Sequence, residues 1–109
     1  MGITTTNMKN SMATGSGFTM AFANGLTISV AHGKGTYCDN RDGKRTNDWQ
    51  TNTRTAEIAI WDEDNNWFHF GHDTVEGWLS ADKIAIWISR VRAAESLDQL
   101  ERYVDKEEE

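Results

Sequence analysis

The sequence predicts a two-layer α+β domain, an antiparallel sheet of four to six strands covered on one face by a C-terminal helix or helix pair. Two stretches, residues 18–31 and 55–70, alternate apolar and polar side chains with period two on either side of a turn. A third, after Ser80, repeats apolar residues at helical spacing. Each predicted hairpin has one wholly apolar face, which needs a cover, and the helical stripe is about the right width to provide it.

At 109 residues the chain is long enough for a single modest core. Hydrophobic residues make up 38% and charged residues 26%, the balance of an ordinary globular protein. Five tryptophans let a core of this size bury a large apolar area per residue. A net charge of −6 argues against nucleic-acid binding through a basic surface. The single cysteine, Cys38, has no internal partner for a disulfide. No apolar run approaches the roughly 20 residues that span a bilayer, and the N-terminus lacks the basic start and apolar middle of a signal peptide. These features predict a cytoplasmic protein with no membrane partner. Proline is absent, so the turns must rest on Gly, Asn and Asp.

Residues 1–17 are small and polar without periodicity, and are expected to form a flexible arm. The single domain then spans 18–104. Its first hairpin pairs 18–23 with 26–31: Phe18, Met20 and Phe22 share one face, as do Leu26, Ile28 and Val30. Asn24-Gly25 between them suits a two-residue turn with positive φ at both positions. The second hairpin pairs 55–61 with 67–70 across the acidic run Asp62-Glu63-Asp64-Asn65-Asn66. Ala56, Ile58, Ile60, Phe68 and Phe70 form its apolar face, with Trp61, Trp67 and His69 opposite. Tryptophans on an open face mark a contact surface, which predicts a homo-oligomer.

A short edge strand is expected around Val75 to Leu79. Ser80 caps the helix, with Asp82 near the positive end of its dipole, and Ile84, Trp87, Ile88 and Val91 form its stripe. Ser96 and Gln99 have the spacing of a capping box, so a second helix is expected there, carrying Leu97, Leu100 and Val104. A single helix bent near Ala94 to Ser96 is the alternative. Residues 105–109 read as an acidic tail.

Chemistry-bearing residues are sparse. His69, His72, Asp73, His32 and Cys38 are metal-ligand types, but a strand ending at Gly71 would not hold His69 and His72 on one rigid face. No paired-cysteine motif is present, and no metal or other cofactor is expected. Asp62, Glu63 and Asp64 lack the calcium-loop pattern, since neither Gly nor Glu stands at the required offsets. Read as a surface, Trp61, Asp62, Glu63, Asp64 and Trp67 form a protein-binding patch. There is no nucleophile elbow, P-loop or dinucleotide fingerprint, and Gly33-Lys34-Gly35 alone is a weak phosphate cradle. Cys38 has only His32 as a local base. An enzyme is not expected.

Residues 32–54, joining the hairpins, have neither strand nor helix pattern, and a loop of this length is commonly functional or disordered. They hold five cations against three carboxylates, a local balance of +2, so the rest of the chain carries −8. Arginine captures phosphate in bidentate fashion and aromatic rings stack on bases. Tyr37, Arg41, Lys44, Arg45 and Trp49 therefore make a candidate site for a nucleotide-like small molecule, with Arg90 and Arg92 of the helix contributing from a neighbouring face.

The two hairpins, FTMAFANGLTISVAHGKGTYCDN and TAEIAIWDEDNNWFHFG, with a helix after GWLS, resemble small accessory proteins of tailed bacteriophages over residues 18–92. The likeness is one of pattern, and no binding residue is carried over from it. It implies an early phage product in the host cytoplasm, of a kind that often antagonises bacterial defence. The nucleotide sponges that counter Thoeris defence are similar in plan: small α+β domains, oligomeric, binding a cyclic nucleotide without turning it over. The resemblance thus implies a non-enzymatic anti-defence protein that sequesters a nucleotide-derived immune signal. The alternative is an acidic inhibitor that binds a host defence protein directly, with its carboxylates imitating nucleic-acid phosphates.

Overall fold

The computed structural model of the protein describes residues 2–7, 15–33 and 55–107. Among the described residues five strands pair antiparallel in chain order: β1 (Gly2–Asn7), β2 (Gly15–Ala21), β3 (Thr27–Gly33), β4 (Thr55–Trp61) and β5 (Glu76–Ser80). Helix α1 (Ala81–Ala93) follows β5 without a loop, and a 3-10 turn (Leu97–Leu100) leads into α2 (Glu101–Glu107). The layout is the two-layer α+β arrangement that the alternation predicts.

Register explains the core. Phe18 lies opposite Val30 and Met20 opposite Ile28, while Ile28 and Val30 in turn face Ile60 and Ile58 of β4. Ala56 faces Leu79 of β5. Directly opposed residues share a face of the sheet, so these pairs make one apolar layer. Trp87 and Val91 of α1 close over it with Leu100, all fully buried, while Ile84 and Ile88 sit half-buried beside them. Each fully buried aliphatic side chain contributes about 1.5–3 kcal/mol relative to exposure, which makes this layer the chief stabilising feature. Trp87 is its centre. Its ring lies 5.3 Å from that of Phe70 and 6.1 Å from those of Phe68 and Tyr103. Its indole N–H is buried without a hydrogen-bond partner among the described residues.

Ser80 pairs with Thr55 at one end of the sheet, and its hydroxyl accepts from the Lys83 N–H (3.3 Å) to start α1 there. The helix then returns along β4 to the opposite end. Ala94 terminates it in an extended conformation rather than a left-handed one, so the last carbonyls lack the usual glycine cap. Asn24, in the β2–β3 turn, supplies the missing donor. Its amide nitrogen donates to the carbonyls of Val91 (2.8 Å), Ala94 (2.7 Å) and Arg92 (3.3 Å).

Four details depart from the sequence reading. Gly2–Asn7, expected to belong to a flexible arm, forms edge strand β1 against β2, with Ile3 opposite Met20. Its threonine-rich run has β-propensity without the apolar alternation that marks a core strand. The β2–β3 connection is a three-residue loop, since Phe22 N–H donates to Leu26 O (2.9 Å) and Gly25 N–H to Phe22 O (3.0 Å). Only Gly25 of the Asn-Gly pair has positive φ (89°), because Asn24 is turned towards the helix. Residues 67–70 make isolated bridges, Trp61 with Trp67 and Phe70 with Asp73, because β5 occupies most of the edge of β4. Their faces nevertheless alternate as predicted, with Phe68 and Phe70 buried and Trp67 and His69 exposed. At the second helix Ser96 makes no side-chain cap. Gln99 instead accepts from the Glu95 N–H (2.8 Å), and helix α2 runs to Glu107 into the expected tail.

Candidate interaction surface at the acidic turn

Residues 62–66 turn because one carboxylate holds them. Asp62 Oδ1 accepts from the backbone N–H groups of Asp64 and Asn66, both at 2.9 Å, and Oδ2 accepts from the Asn66 side-chain amide (3.0 Å). Two backbone bonds close the loop, Asp62 N–H to Asn66 O (3.0 Å) and Asn65 N–H to Asp62 O (3.1 Å). Asn65 takes the left-handed position (φ 65°), which asparagine tolerates better than most side chains. The Asn66 backbone N–H, then its side-chain amide, hold the Asp62 carboxyl below the ordinary aspartate range against an opposing effect of desolvation, with the Asp64 N–H adding less. Asp62 is therefore spent on the turn, while Glu63 and Asp64 are left exposed.

The turn carries an aromatic platform. Trp61 ends β4 half-buried, and its ring lies 4.7 Å from that of Trp67, tilted by 34°. The bridge between these residues, with the Phe68 N–H to Ile60 O bond (2.8 Å), fixes Trp67 to the sheet. Trp67 remains 45% exposed. Beside it opens a broad, shallow cleft of about 570 Å³ lined by Asn65, Asn66, Trp67, His69 and Thr74.

The five residues read from the sequence as a protein-binding patch, Trp61, Asp62, Glu63, Asp64 and Trp67, are thus contiguous, and they lie at the end of the sheet where α1 finishes. A Cβ on Gly25 would stand 2.9 Å from Glu63 Oε1, so the two turns touch. Arg90 and Arg92 occupy the last turn of α1. The Arg90 guanidinium lies over the rings of Trp87 (4.8 Å) and Tyr103 (4.2 Å), which gives it a packing role, whereas Arg92 is exposed. Tyr37, Arg41, Lys44, Arg45 and Trp49 lie outside the described residues, as does Cys38.

Burial lowers the pKa of His32, half-buried on β3, while His69 lines the cleft and His72 is exposed beyond it. Among the described residues no three His, Cys, Asp or Glu side chains are grouped to hold a metal ion, and no helix is long and apolar enough to cross a membrane. Sequence reasoning missed Asn65, Asn66, His69 and Thr74 as cleft residues. The Asn65-Asn66 pair carries a turn signal but no binding signal. Thr74 reaches the cleft only through the reversal at Gly71 (φ 81°), which alternation does not reveal. Comparisons with protein-family models, with curated proteins and with solved structures found no match to this chain.

Proposed function

We propose that the protein is a non-enzymatic binding protein of the phage anti-defence kind, and that it docks onto a host defence protein through the Trp61–Trp67 turn. The observation that supports this reading is a division of labour within one loop. Of the three acidic side chains Asp62 is the one that stitches the turn, and Glu63 and Asp64 stand exposed beside a backed, half-exposed tryptophan. Tryptophan is enriched among the residues that dominate binding energy, and a rigid loop loses little entropy on association. The overall charge of −6 favours encounter with a basic surface.

The charge asymmetry of the sequence favours a second reading, capture of a nucleotide-derived signal by Tyr37, Arg41, Lys44, Arg45 and Trp49, with the exposed Arg92 of α1 as a further cation. One experiment separates the two. Tagged full-length protein is incubated with bacterial lysate, and retained proteins and released small molecules are identified for the wild type, Glu63→Gln/Asp64→Asn and Arg41→Ala/Arg45→Ala. Docking predicts one retained protein that is lost only from the Glu63/Asp64 variant. A released nucleotide lost only from the Arg41/Arg45 variant would instead establish the second reading. Retention of neither would overturn both.

A further inference from the structure

We propose that the cleft formed by Asn65, Asn66, Trp67, His69 and Thr74 receives an arginine side chain from the partner's surface. This deepens the docking reading and rests on it. Among the described residues Trp67 forms an aromatic wall of the cleft, its ring backed by Trp61 at 4.7 Å and 45% exposed. A planar guanidinium stacks on such a ring more favourably than a compact ammonium does.

The remaining walls offer acceptors. The Asn66 amide nitrogen already donates to Asp62 Oδ2, which leaves its oxygen to accept. Asn65 supplies a second amide oxygen, Thr74 a hydroxyl and His69 a ring nitrogen. A guanidinium brings five N–H donors and no acceptor, so the complement is chemical as well as geometric. Among the described residues no Lys or Arg lines the cleft, and the adjoining turn carries Asp62, Glu63 and Asp64. A phosphate or carboxylate ligand would meet like charge there. The protein already uses this arrangement internally, where Arg90 packs on Trp87 and Tyr103.

The test is heteronuclear NMR on the full chain titrated with acetyl-Gly-Arg-Gly-amide. Its isosteric citrulline analogue and maltose serve as neutral probes. The arginine peptide is expected to shift the Trp67 indole N–H and the side-chain amides of Asn65 and Asn66. Shifts from the citrulline peptide should be at least about fivefold smaller, since the stacking attraction depends on charge. Trp67→Ala should abolish the response. Trp67→Phe, which keeps a weaker ring, should retain part of it and guards against loss of the fold. Equal shifts from citrulline, a response to maltose alone, or an undiminished response in Trp67→Ala would each overturn the proposal. If Glu63→Gln/Asp64→Asn releases the lysate partner but arginine shifts nothing in the cleft, docking stands and the arginine anchor falls. If arginine shifts the cleft but the partner survives that variant, the docking reading falls, and with it the cleft's role in docking.

Discussion

The two turns at the end of the sheet, residues 22–26 and 62–66, are the same loop put to different uses. In each, the first N–H donates to the fifth carbonyl, the fourth N–H donates to the first carbonyl, and the fourth residue has positive φ: Gly25 at 89° and Asn65 at 65°. They differ in where one side chain points. Asn24 Oδ1 accepts from the Leu26 N–H within its own turn (3.0 Å), but its amide nitrogen reaches out and caps the end of α1. Asp62 reaches inward and caps its own turn. The first turn is thereby committed to holding the layers together. The second is complete in itself, and leaves Glu63 and Asp64 exposed. Backbone geometry alone does not distinguish a turn that latches a helix from one that closes only on itself. Side-chain direction does.

Substitutions that exchange these uses test the comparison. The largest effect is expected at Asn24. Asn24→Asp removes the donor and sets a carboxylate against the helix C-terminal carbonyls, which should cost about 3 kcal/mol in urea unfolding. Asn24→Ala, which deletes both the amide donor and the Oδ1 that accepts from the Leu26 N–H (3.0 Å) but adds no charge, should cost about 2 kcal/mol. Equal values for the two would mean that the helix end is capped by something other than this amide.

Gly25→Ala comes next. A Cβ there would stand 2.9 Å from Glu63 Oε1 in a left-handed backbone, and about 1–2 kcal/mol is expected. The Glu63→Ala background should return the steric part and leave the backbone part, which a double-mutant cycle reads directly. Asn65→Gly at the equivalent position of the second turn should be neutral or slightly stabilising, since it relieves positive φ.

Asp62 offers a pH test. Its folded pKa is depressed, so its contribution to stability is present above the ordinary aspartate value of about 3.9 and is lost as pH falls through the folded value. Over that acidic window the unfolding midpoint of the wild type should fall more steeply than that of Asp62→Asn. Parallel curves would show that the carboxylate does not hold the turn. The smallest stability effect is expected for Glu63→Gln/Asp64→Asn, within the scatter of surface substitutions by thermal melt, although this variant should lose the partner.

Much of the fold was legible because alternation is a direct consequence of strand geometry. Ile28, Ile58 and Ile60 fall on the buried face by counting alone, as do Phe68 and Phe70. The Ser80 cap and the Trp87–Val91 stripe were legible for the same kind of reason. Strand β1 was not, since an edge strand needs only a neighbour's hydrogen bonds and carries no apolar signature of its own. The Asn24-Gly25 pair marks the place of the turn but not its type, because a tertiary contact to Ala94, 70 residues away in sequence, redirects the amide. The acidic aromatic patch was legible as residue types. The cleft was not, since it joins a turn, a bridge and Thr74 through a reversal that no local period encodes.

The most direct test measures both properties for both turns: unfolding free energy and affinity for the partner captured from lysate, in Asn24→Ala and in Glu63→Gln/Asp64→Asn. The account predicts a crossed result. The first variant loses stability yet binds with wild-type affinity where it is folded, and the second keeps its stability and loses the partner. If Asn24→Ala abolishes binding while folded, or the Glu63/Asp64 variant binds as the wild type does, the division between latch and contact surface is contradicted.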